Sequence, residues 1–341
     1  MLAILASLSL SETSSPKLAW QKCTKAGCSS ITGSVVIDKE NRATETTPIE
    51  DYGAALGVTT SGNTLKQRLV TVYNGKRVIG SRLYLLAADG QSYELFNFVG
   101  KEFTFDVDLS QILCGVNAAL YTSEMPAKGA GSAGAVYGGG YCDANYVGGS
   151  GCHEMDIMEA NKYAMVFTTH TCQTLGIQAG RGSCDNAGCG FNAYRFGAKT
   201  FWSNDINTAQ KITVITQFLG SGATISEIRR LYMQGGKVIK NAAVHVWGSQ
   251  VAYDSIVPGF CQSSGHQTDG WHSLNQMAAS FVRGHVLVFS LWDSDDMGWL
   301  DGQNGEYGPC GNPSAASVEA QHPDMTLTFS NIKFGDIDST Y

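Results

Sequence analysis

The chain has 341 residues, 43% of them hydrophobic and 16% charged, which is enough apolar material for a packed core. Its formal net charge of -7 argues against nucleic acid as the partner, because phosphate binding needs clustered Lys and Arg. No apolar run of about 18 residues is present, so no membrane span is expected.

Leu2 to Leu10 reads as a short apolar signal core without a basic leader, so residues 1–13 are assigned to a trimmed signal peptide. The strand pattern begins at "GSVVID" (33–38) and returns at "RLYLLA" (82–87), "EFTFDVDLS" (102–110), "KITVITQF" (211–218), "HVLVFSLW" (285–292) and "MTLTFSNIKF" (325–334). Helical patterns are short, near 205–210 and 275–282. Gly-, Ser- and Asn-rich turns fill the gaps; the 40 glycines suit many turns and bulges. Strands at both ends predict one domain over 14–341, an all-β sandwich of two antiparallel sheets with no linker or additional module. The ten cysteines form no CxxC pair and no zinc spacing, so disulfides and an oxidising, extracellular compartment are expected.

"CHEMDIMEANKY" (152–163) places Glu154, Asp156 and Glu159 among apolar residues. On a strand, Glu154 and Asp156 share a face while Met155 and Ile157 point into a core. Glu159, five residues from Glu154, would fall on the core face of a regular strand. A β-bulge between Asp156 and Glu159 returns it to the acidic face. Neighbouring acids repel, so one retains a proton at low cost. A proton-bearing acid beside a carboxylate is what glycoside hydrolysis uses. The competing readings are a solvated acidic edge or a calcium site. "HEMDI" lacks the second His of a zinc helix motif.

"EMDIMEAN" resembles the E-x-D-x-x-E motif of glycoside hydrolase family 7, the fungal and protist cellulases. The likeness continues in order through "PKLAWQKCTKAGC", "TGSVVID", "LGVTTSGNTL", "RLYLLAADG", "FTFDVDLSQILCGVNAALY", "GYCDAN", "CDNAGCGFNAYRFG", "VLVFSLWDS", "GWLDG" and "FSNIKFGDI". The resemblance implies a concanavalin-like β-jelly-roll sandwich of two curved antiparallel sheets with a long open cleft. It implies a retaining endo-β-1,4-glucanase acting on a β-1,4-glucan, secreted and monomeric, with no cofactor and no metal. Glu154 is then the nucleophile, Glu159 the general acid/base and Asp156 the assisting acid.

Around them the resemblance implies substrate contacts from Asn117, Tyr121, Tyr141, Asp143, Arg181 and Arg195, and from His170 close to the acid/base. Trp292 and Trp299 match two platform tryptophans on either side of the cleavage point. Read without the resemblance, His170 is a structural histidine and Trp292 a core residue with equal ease. Trp20 is expected in the core. The implied disulfides are Cys23–Cys28, Cys114–Cys310, Cys142–Cys152, Cys172–Cys184 and Cys189–Cys261.

The chain departs from the family after "VVID". Arg42 remains, but two cleft tryptophans and a cysteine-rich loop are absent. A long insertion after "GYCDAN" is missing, and the segment around 176–183 is short. Short loops favour an open groove and endo action. The alternatives are a cellobiohydrolase, a mixed-linkage β-glucanase, and an inactive lectin-like relative.

Overall fold

A computed structural model describes residues 15–40, 51–131, 134–178 and 180–341. Arg42 and the signal-like segment lie outside them. The main strands are β1 (Lys17–Thr24), β2 (Gly27–Ile37), β3 (Ser81–Leu86), β4 (Lys101–Asp108), β5 (Val116–Ser123) and β6 (Glu154–Ala160). They continue with β7 (Met165–His170), β8 (Cys189–Phe191), β9 (Ile212–Ser221), β10 (Thr224–Gln234), β11 (His285–Asp293) and β12 (Thr326–Asp336).

Antiparallel pairing orders one layer as β2–β3–β11–β5–β6–β7–β8. The second runs β10–β9–β4–β12. β1 joins them at a seam, parallel to β12 and antiparallel to the first half of β2. The second half of β2 crosses to pair with β3, so one eleven-residue strand serves both layers.

The inner faces pack Leu83, Phe103, Phe105, Leu120, Met155, Phe167, Val214, Phe289 and Phe329, all 0% exposed. Trp20 joins this core edge-on to Phe96, with ring centres 5.2 Å apart. Burying such side chains stabilises by roughly 1.5–3 kcal/mol each before entropy is counted. The first layer carries a second, smaller cluster on its outer face, where Val36, Tyr84, Tyr121 and Val288 meet Met125, Tyr141 and the Cys142–Cys152 bridge. The loop after β5 therefore lies over one end of that face, and β5 is buried on both sides.

The six expected strands are present with shifted ends, and the helix expected near 275–282 spans Leu274–Arg283, capped by the Ser273 side chain. The helix expected at 205–210 does not form. A single turn, Phe201–Asp205, precedes that segment, and Asn207 instead folds back so that its side chain accepts from the Ala209 N–H. Ten cysteines form the five bridges given above. Among the described residues no helix is long and apolar enough to cross a membrane.

Candidate active site

The acids stand on β6, and the expected bulge is there. Asp156 pairs with Thr168 and Glu159 with Val166, so Ile157 and Met158 oppose Phe167 alone. Against β5 the same irregularity puts Tyr121 opposite Asp156 and Leu120 opposite Met158. Ile157 and Met158 are both 0% exposed and enter the core together. That double step returns Glu159 to the face of Glu154 and Asp156. Arg230 on β10 lies behind the bulge, buried, and its guanidinium donates to the Ile157 carbonyl. Phe167 faces that guanidinium, 4.3 Å from ring centre to Cζ.

Each acid has its own partner. The Ala144 N–H donates to Glu154 Oε2 at 2.9 Å. The Cys142–Cys152 bridge ties the Ala144 segment to the residue two before Glu154. Asp156 Oδ2 lies 3.0 Å from His170 Nε2, and His170 Nδ1 lies 2.8 Å from the Asp185 carbonyl. Asn117 Nδ2 donates to Glu159 Oε1 at 2.8 Å. His170 stands opposite Glu154 in register and bonds Asp156, so its nearest acid partner is Asp156, not Glu159. The reason is geometric: Glu159 stands opposite Val166, four residues along β7 from His170, even though the bulge brings it one residue nearer.

Too many acids share too little water here. Burial, then the charges of Asp156 and Asp143, push the Glu154 carboxyl well up. Burial and the Asp156 charge raise Glu159 to about 8, although the Asn117 hydrogen bond opposes the shift. Burial also raises Asp143, whose carboxylate accepts from the Val147 N–H at 2.9 Å. His170 moves the other way. Burial alone would lower it, but the Asp156 hydrogen bond and the Asp156 and Glu154 charges lift it to about 10. The site thus holds a cationic imidazole among carboxyls and stores at least one carboxyl proton at neutral pH.

Tyr121 and Tyr141 join hydroxyls at 2.7 Å beside this group, and burial raises both phenols. Arg82 lies under Tyr141, its Cζ 3.4 Å from the ring centre. Arg82 Nε and the Tyr84 hydroxyl each donate to Asp38 Oδ2 at 2.8 Å. Sequence reasoning missed Arg82 and Asp38. The signal was available: each is a charge within an apolar strand run.

The aromatic residues lie further along. Trp292, one residue before the end of β11, pairs with Asn117, which places it on the acid side of β5. Trp299 is 36% exposed, and the two rings lie 26° from parallel with centres 6.4 Å apart. The two rings are therefore near neighbours, close to parallel. Arg195 Nε bonds Glu306 Oε1 at 3.2 Å, and its Cζ sits 4.5 Å from the Tyr307 ring centre. Arg181 is exposed on the turn inside the Cys172–Cys184 loop, and no described contact brings it to the acids.

Solved structures and curated relatives place this geometry. A family 7 cellobiohydrolase from Daphnia pulex superposes with a TM-score of 0.88 at 29% identity, covering 96% of this chain and 98% of that one. An endocellulase, Cel7B, from Humicola insolens gives 0.86 at 32% identity, with the same two coverages. The endo-beta-1,4-glucanase celB of Aspergillus oryzae is 44% identical over 330 residues, 86% of this chain and 78% of that protein. The model of glycosyl hydrolase family 7 matches residues 45–148 and 144–341. With the bulged acid strand and the sandwich that carries it, these matches make the chain a member of glycosyl hydrolase family 7.

Proposed function

We propose that the protein is a secreted, retaining endo-β-1,4-glucanase that hydrolyses internal bonds of cellulose or a related β-glucan by double displacement. The observation that carries this reading is the bulge that turns Glu154, Asp156 and Glu159 onto one face, the first two buried and Glu159 half-buried. Glu154 attacks the anomeric carbon and forms a glycosyl-enzyme. Glu159 gives its proton to the departing glycosidic oxygen, then takes one from the water that releases the sugar. Burial raises both Glu154 and Glu159; the Ala144 N–H and the His170 charge act against that rise at Glu154, and in this reading Glu154 reacts ionised while Glu159 carries the proton the acids share. Asp156 holds His170 and shares its charge with the nucleophile's surroundings.

Trp292 and Trp299 offer apolar ring surface to the C–H faces of the sugars. Only "YVGGSG" separates the Ala144–Asn145 step from Cys152, and so short a loop leaves the cleft uncovered. An uncovered groove admits a chain at its middle. The five disulfides suit an oxidising, extracellular setting.

Viscometry of a soluble cellulose derivative tests the mode of action. Endo cleavage lowers viscosity early, with few reducing ends released. Cellobiose dominating from the first minutes, at nearly constant viscosity, would instead favour the cellobiohydrolase reading.

A further inference from the structure

Trp247 is the most exposed tryptophan identified, at 60%, on a loop held shut at its base by the Val244–Tyr253 bridge. The loop is ordered from within: Ser249 N–H donates to the Val246 carbonyl at 2.8 Å, and Val251 N–H to the Ser249 hydroxyl at 3.1 Å. Trp247 itself has φ 40 and ψ 45, the left-handed region that a bulky side chain rarely adopts. Such a conformation persists only where the surroundings impose it. An exposed indole in that state gains little for the core, since most of its ring stays in water.

The ring is also positioned. Its centre lies 5.8 Å from that of Phe196, at 70° to it. The Arg195 guanidinium sits 5.1 Å from the Trp247 ring centre and 4.5 Å from that of Tyr307. Arg195 therefore joins the Trp247 loop to the segment that follows Trp299. Next to Trp247, Gly265 precedes His266, and the charges of Asp185, Arg195 and His170 all reach His266. His170 bonds Asp156. His266, beside Trp247, thus feels both Arg195 and the His170 charge that Asp156 holds.

We propose that Trp247 is the platform of a further sugar-binding subsite, at the end of the cleft beyond Trp299, with Arg195 and Glu306 as its hydroxyl-binding groups. The inference rests on the β-glucanase reading above and adds a second point of attachment for long chains. A flat, exposed indole flanked by a guanidinium and a carboxylate matches a pyranose, with apolar faces and hydroxyls round its rim. Short substrates that fill only the sugars nearest the acids do not reach it.

The test compares Trp247→Ala with the wild type on cellohexaose and on an aryl cellobioside. Base-on-aromatic stacking energies correspond to an increase in KM of about tenfold for the hexaose. The increase for the aryl cellobioside should stay under about twofold, and Trp247→Tyr should recover most of the hexaose affinity. A hexaose KM within twofold of wild type would overturn the subsite. So would an equal increase on both substrates, which would make Trp247 a structural residue. A wild-type protein that hydrolyses neither substrate would overturn the β-glucanase reading itself, and the subsite with it.

Discussion

Two groups of buried charge share the first layer, and they are built in opposite ways. In one, Arg82 answers Asp38, Tyr84 adds a hydroxyl to the same carboxylate, and Tyr141 covers the guanidinium. In the other, Glu154, Asp156, Glu159 and Asp143 crowd together with His170 as the cation within bonding distance. The first group balances charge and holds strands together. The second leaves excess negative charge in low dielectric, and so raises carboxyl pKa values and stores a proton. Burial alone does not mark a working site; burial with an unmatched charge does.

The sharpest way to break the comparison is Glu154→Gln. The amide keeps the shape and loses the nucleophile, so turnover should fall by about 10⁴-fold or more, with the melting temperature kept. Near-normal hydrolysis would remove Glu154 from its role. The opposite pattern is expected of Arg82→Met. Taking the guanidinium away from buried Asp38 should cost about 3–5 kcal/mol in denaturant unfolding. A change under about 1 kcal/mol would mean that the pair is not structural. Cys142 and Cys152 link the two groups, one beside Tyr141 and the other two residues before Glu154. Replacing both with Ser should cost about 2–3 kcal/mol and loosen the Ala144 N–H. Unchanged stability and activity would separate the bridge from the site.

A further effect concerns pH, and its direction follows from two raised values. Glu159 rises from 4.5 to about 8 on folding, and His170 from 6.5 to about 10. A raised folded value stabilises below the unfolded value and loses that contribution as pH climbs through the folded one. Wild-type stability should therefore decline between about pH 4.5 and 10, and Glu159→Gln should flatten the part below 8. Identical pH profiles would show that Glu159 does not titrate in that range.

The sandwich was legible because its strands alternate plainly, as in "EFTFDVDLS". The bulge was legible too, since Glu159 lies an odd number of residues from Glu154 and only an extra residue restores the face. The helix expected at 205–210 failed because Asn207 prefers to bond its own backbone. The partner of His170 needed the register of β7, which no local pattern encodes. The near-parallel contact of Trp292 with Trp299 depends on how the turn between them folds, and seven residues of spacing do not specify that. Arg230, 73 residues from the carbonyl it supports, needed the packing of one layer on the other.

The central claim is that the bulge makes Glu159 the proton donor. It is tested most directly by pre-steady-state glycosylation rates of Glu159→Ala on two substrates, one an aryl glycoside with a good leaving group and the other a natural cello-oligosaccharide. A good leaving group departs without a proton. Glycosylation should thus fall by about 10²–10⁴-fold on the oligosaccharide and by less than about tenfold on the aryl glycoside. Equal losses on both would contradict the account and make Glu159 a structural acid.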